Sequence, residues 1–106
     1  MKEEFIQAIF DMKKILIIFH SNEDNKIISR KCAPMDYGPF RRSNDETPRF
    51  HAWDYESDKM PHTLSLLPNK IVSIKILNEN FDPKDLVKWS VKRSPWFIKR
   101  NWGQYS

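Results

Sequence analysis

Phe5, Ile6, Ile9, Phe10 and Met12 recur at spacings of one, three and four residues, with Lys2, Glu3, Glu4, Gln7 and Asp11 filling the gaps. That pattern predicts a short amphipathic helix over residues 2–12. The period then changes. Residues 14–20 (KILIIFH) form a β-branched and aromatic run, residues 21–25 (SNEDN) a polar connection of the kind that closes a hairpin, and residues 26–33 the return strand. Residues 34–48 hold three prolines, Gly38, Arg41, Arg42 and the polar string 43–47, and read as a long loop crossing the surface.

Beyond the loop, residues 49–55 alternate Phe50, Ala52 and Asp54 against Arg49, His51, Trp53 and Tyr55, so aromatic rings fall on both faces of a strand. A turn over 56–61, a short strand over 62–67 and a break at 68–70 follow. A strand over 71–77 then sets Ile71, Ser73, Lys75 and Leu77 against Val72, Ile74 and Ile76. Residues 78–83 turn the chain, where Asp82 is placed to cap a helix over 84–89 with Pro83 at its first position. Pro95 and Gly103 bracket a last piece over 96–102. The expected class is mainly β (α+β), with about five strands at short spacing forming a small barrel, a short N-terminal helix, and an irregular or short-helical C-terminal extension. Residues 1–83 make up the barrel unit, and residues 84–106 an extension packed on the same domain.

Length and composition support this picture. The chain has 106 residues, enough for one modest core. Its 40% apolar and 30% charged residues describe a folding chain with a wetted surface. The longest apolar run, residues 15–19, is far short of the roughly 20 residues of a membrane span. Glu3 and Glu4 stand where a signal peptide has its basic start. A cytoplasmic protein without membrane contact is therefore expected. The single cysteine, Cys32, cannot form an internal disulfide and reads as a small strand residue.

The net charge of +4 is unevenly spread. Residues 1–83 carry 12 Lys/Arg against 13 Asp/Glu, whereas residues 84–106 carry six Lys/Arg against Asp85 alone, a tail charge of +5. An anionic partner is expected to meet that end.

The stretches 14–34 (KILIIFHSNEDNKIISRKCAP), 49–55 (RFHAWDY) and 64–83 (LSLLPNKIVSIKILNENFDP), in the order of elements just given, resemble the WYL domain of bacterial regulators. The tail WSVKRSPWFIKRNWGQYS and the loop DYGPFRR mark a narrower bacterial branch. The resemblance implies an SH3-like small barrel used for ligand sensing or nucleic-acid binding, in regulatory or defence proteins. The family's naming triplet falls at Arg49, Phe50 and His51, with an aromatic at the middle position, and its basic positions fall near Ser65 and Lys70.

Two groups of residues carry candidate chemistry. In the tail, Trp89, Trp96 and Trp102 are interleaved with Lys88, Lys92, Arg93, Lys99 and Arg100. Cations bind phosphates, and flat rings stack on unpaired bases. In the loop, the adjacent Arg41 and Arg42 offer planar forks for a phosphate or carboxylate. The expected binding residues are Arg41, Arg42, Trp53, Lys92, Arg93, Trp96, Lys99, Arg100 and Trp102. Arginines and lysines meet phosphates, and Trp96 or Trp102 stacks on a base. The bland counterpart is a tail whose tryptophans pack on the barrel while its cations stay in water.

For catalysis, His20, His51, His62, Asp36, Asp54 and Asp58 supply suitable groups without a diagnostic spacing, and His51 and Asp54, three apart on a strand, point to opposite faces. The chain has no glycine-rich phosphate loop and no HExxH or nucleophile-elbow motif. The expectation is a non-enzymatic module without cofactor or metal, with nucleic acid or a nucleotide as ligand. A protein-interaction or assembly module, with Trp53, Tyr55 and Tyr105 exposed and a homodimer formed edge to edge, is the alternative.

Overall fold

The computed structural model describes residues 1–57 and 62–106. Helix α1 (Lys2–Asp11) buries Phe5, Ala8 and Ile9, one face of a helix by their spacing, and stops where Met12 takes a left-handed conformation (φ 52°). The Met12 carbonyl, freed by that stop, accepts from the Phe81 amide at 2.9 Å and from Asn80 Nδ2 at 3.2 Å. The helix C-terminus is thereby tied to the far end of the sheet.

Among the described residues, five antiparallel strands form one sheet: β1 (Lys13–Ser21), β2 (Lys26–Pro39), β3 (Pro48–Asp54), β4 (His62–Leu66) and β5 (Ile71–Asn80). Their order is β4-β3-β2-β1-β5. The mainly-β class with one short helix is as the sequence indicates. The small barrel expected from the sequence is not formed: β4 and β5 do not pair with each other, so the sheet stays open with these two strands as its edges.

Ile15, Ile17 and Phe19 of β1, Cys32 of β2, and Phe50 and Ala52 of β3 alternate onto the buried face. There α1 covers them, with the Phe5 ring edge-on to Phe50 at 5.1 Å. Burial, and next the nearby Asp54 charge, push the Cys32 thiol far above its ordinary range, so it is an inert packing group.

The loop expected over 34–48 is shorter than the sequence suggests. β2 runs on through Pro34 to Pro39, and β3 starts at Pro48, leaving residues 40–47 as the connection. Pro34 and Pro39 are tolerated because β1 pairs with β2 only as far as Ile15 opposite Cys32. Beyond that point β2 has β3 as its sole strand partner, so a missing N–H on the other side breaks no ladder. A register shift between Pro34 and Asp36 marks a bulge there.

The strand expected at 71–77 extends to Asn80. It is less cleanly two-sided than its alternation implies: two register shifts against β1 leave Val72 50% and Ile76 39% exposed along the edge. Asp82 caps as expected, its carboxylate accepting from the Lys84 amide, with Pro83 at the first position. The helix over 84–89 is only a 3-10 turn, Pro83–Asp85, after which Leu86 and Val87 turn into the core. The turn expected over 56–61 falls partly on residues 58–61, outside the described residues. The tail ends in a 3-10 turn, Gly103–Tyr105.

Candidate anion-binding cleft

The tail is fastened along the flank of β2 that β1 leaves free. At the bulge, the Asp36 carboxylate accepts from the amides of Tyr37 (3.0 Å), Phe97 (2.9 Å) and Ile98 (3.0 Å), and from Arg100 Nη2 at 3.2 Å. Arg100, its side chain fully out of solvent, also donates to the carbonyls of Met35 and Ile98. Its guanidinium stacks 3.8 Å over Trp96 and 4.5 Å from Trp102. Burial lowers the Arg100 pKa to about 10, against the opposing pull of Asp36, so the guanidinium stays charged at neutral pH.

Trp102 is 5% exposed and donates from Nε1 to the Ile9 carbonyl at 2.8 Å; Trp96 donates to the Tyr105 carbonyl at 2.7 Å. Edge-to-face contacts run from Trp89 to Trp96 (5.2 Å), to Trp102 (5.4 Å), to Phe81 (5.5 Å).

These contacts correct two of the expected site residues: Arg100 is enclosed and already paired, and Trp102 is core, so neither offers a surface to a phosphate or a base. Trp96 has Arg100 stacked on it but still lines the cleft described next. Trp53, Tyr55 and Tyr105, expected to be exposed, are half-buried and pack partly against the core.

Arg41 and Arg42 do meet the tail. Together with Phe40 they form one wall of a cavity of about 560 Å³, whose opposite wall is Trp89 and residues 94–97 and whose floor is Arg49 and His51 of β3 with Thr63 and Ser65 of β4. Arg41 spans from wall to wall: Nη2 donates to the Pro95 carbonyl, and the guanidinium lies 4.3 Å from the Phe97 ring. Lys92, Arg93 and Lys99 are exposed but do not line this cleft.

The loop behind Arg42 is held by its own turns. Ser43 donates from its amide to the Phe40 carbonyl, and Asp45 accepts from the Thr47 hydroxyl (2.7 Å) and amide (2.9 Å). Those two bonds, with a smaller pull from Arg49, hold the Asp45 carboxyl below its ordinary range.

Arg49 and His51, which the sequence reading placed at the naming triplet of the resembled family but not among the expected binding residues, also line the cleft. The Arg49 guanidinium lies 5.3 Å from the Phe40 ring, and its Nε is shut off from solvent without a hydrogen-bond partner among the described residues. An orphaned donor of this kind is costly unless a ligand or water serves it. His51 Nε2 contacts the Gly38 carbonyl at 2.8 Å, and Nδ1 contacts Ser65 Oγ at 2.8 Å. A carbonyl only accepts, so Nε2 carries the proton; in the neutral ring Nδ1 accepts from the Ser65 hydroxyl.

The signal for Arg49 and His51 lay in the period of two, which sets both on one face of β3. Their partner Ser65 follows from the β3–β4 register, which the sequence does not state.

A second cavity of about 370 Å³ contains Arg30, but that cation already faces the buried Asp54 at 3.4 Å, with Glu23 and Asp24 nearby. It is unsuited to an anion. Among the described residues, no cluster of three His, Cys, Asp or Glu is arranged to hold a metal ion. Nor is any helix among them long and apolar enough to cross a membrane. In comparisons with known proteins, the chain matches no family model, no curated protein and no solved structure.

Proposed function

We propose that this chain is a non-enzymatic binding module that takes nucleic acid or a nucleotide in the cleft between the 40–47 loop and the tail, and that its resemblance to WYL domains reflects such a regulatory or sensing role. The observation that carries the reading is the convergence of Arg41, Arg42 and Arg49 on one recess that also exposes aromatic surface from Trp89 and Phe97. The one carboxylate lining it among the described residues, Asp36, is already matched by Arg100. Guanidinium forks recognise phosphate oxygens in pairs, and Trp89, the more exposed of the two tryptophans lining the cleft, is the ring to meet a base.

The test is fluorescence anisotropy of a labelled single-stranded oligonucleotide at about 50 and about 200 mM salt. Binding that weakens steeply with salt, and is lost in Arg42→Ser/Arg49→Ser, supports the reading. Binding unchanged in that variant removes it.

A second reading has its own observation. Val72 and Ile76 stand exposed on the β5 edge, which suits strand addition by a protein partner or a second copy. Sedimentation of wild type against Val72→Lys/Ile76→Lys checks it: a dimer lost in the variant favours assembly, and a monomer in both dismisses the homodimer.

A further inference from the structure

The cleft is short, walled on two sides and bridged. Arg41 ties the loop to the tail through Pro95 and Phe97, which closes one side. The cavity volume of about 560 Å³ is that of a small-molecule site. A protein that tracks a continuous strand needs an open groove with cations spread along it. Here three arginines are gathered in one recess, and the tail cations Lys92, Arg93 and Lys99 lie off its lining.

Resting on the reading above, we infer that the cleft is specific for a terminal phosphate, the phosphomonoester of a nucleotide, rather than for internal phosphodiesters. An internal phosphodiester carries one negative charge and two free oxygens. A phosphomonoester carries roughly 1.5 to 2 charges at neutral pH and three strong acceptor oxygens. That is the group that gains most from several guanidinium forks facing one point. Arg42 is exposed on the loop wall, while Arg49 lines the floor and its Nε has no hydrogen-bond partner among the described residues.

The polar floor extends the match. Where the His51 ring is neutral, its Nδ1 engages the Ser65 proton, and the hydroxyl turns only lone pairs toward the recess. It therefore accepts from a sugar hydroxyl or a base N–H and offers nothing to the phosphate, which is left to the arginines. Such a phosphomonoester comes either from a free mononucleotide or from the end of a strand.

The experiment uses the full chain and three labelled single-stranded oligonucleotides of one sequence, bearing a 5′-phosphate, a 3′-phosphate or hydroxyls at both ends. Unlabelled AMP and adenosine serve as competitors. The expected result is about tenfold tighter binding of at least one phosphorylated end, the size of one charge-assisted hydrogen bond. AMP displaces the label and adenosine does not. Arg42→Gln and Arg49→Lys, each checked for folding by circular dichroism, close the gap between phosphorylated and hydroxyl ends; Arg49→Lys keeps the charge and loses the fork. Direct binding of AMP without preference between oligonucleotide ends identifies the free nucleotide as the source of the phosphomonoester.

Two results overturn the inference. If all three oligonucleotides bind within about twofold of one another and AMP competes no better than adenosine, terminal recognition is wrong while nucleic-acid binding stands. If neither oligonucleotide nor AMP binds at any salt, both readings fall together.

Discussion

Phe97 rests directly on Gly38. A Cβ added at residue 38 would stand 2.9 Å from Phe97 Cβ and closer still to Cγ and Cδ2. The glycine is needed here for close approach rather than for an unusual backbone angle. Gly38→Ala is expected to lift Phe97 off β2 and loosen the tail, costing about 1–3 kcal/mol as overpacking does. Urea unfolding gives the cost. Stability equal to wild type would mean that Phe97 moves aside freely.

The Asp36–Arg100 pair makes a larger demand. Asp36→Ala leaves a guanidinium enclosed between two indoles without its counter-charge, and strands the amides of Phe97 and Ile98. A loss of about 3–5 kcal/mol is expected by urea unfolding, as when one partner of a buried ion pair is removed. A loss below about 1 kcal/mol would show that the tail contributes little to the folded state.

The tryptophans divide sharply by position. Trp102→Ala removes a core side chain and one of the bonds that the Ile9 carbonyl accepts, for an expected cost of about 3–5 kcal/mol. Trp89→Ala, at a site 40% exposed, is expected to cost under about 1 kcal/mol and to weaken oligonucleotide binding instead. Thermal unfolding and anisotropy on the two variants separate packing from recognition, and equal stability costs would refute the division.

Tyr55 gives a prediction in pH. Burial first, then the charges of Asp85 and Cys32, raise its phenol from 10.0 to about 12. Between these values the unfolded chain releases the proton and the folded chain keeps it, so the contribution of this group is whole below pH 10 and fades as pH climbs toward 12. Wild type is therefore expected to lose stability relative to Tyr55→Phe across that window, measured by urea unfolding at matched pH. Parallel curves for the two proteins would refute the assignment.

Much of the fold was legible because local pattern and burial agree. Phe5 and Ile9 mark one face of α1, Ile15, Ile17 and Phe19 one face of β1, and Asp82 with Pro83 a capped turn. What could not be read depends on neighbours that are remote in sequence. Pro34 and Pro39 look like loop residues until it is seen that β1 ends short of them. Arg100 looks like a surface cation among other cations, and only the bulge at Asp36 makes it an interior one. The grouping of Arg41, Arg42 and Arg49 requires the loop, the β3–β4 register and the tail at once. The resemblance to WYL domains named a kind of role without locating this recess.

The bond from Trp102 to the Ile9 carbonyl joins residues 93 apart. Contacts of such separation form late, since a long loop must close before they return any free energy. One wall of the cleft thus comes into being only when the last part of the chain docks on the first helix. Whatever fills the cleft binds only the docked form, and so holds the tail down in proportion to its own affinity. In this small protein, occupancy of the recess and closure of the chain are two readings of one equilibrium.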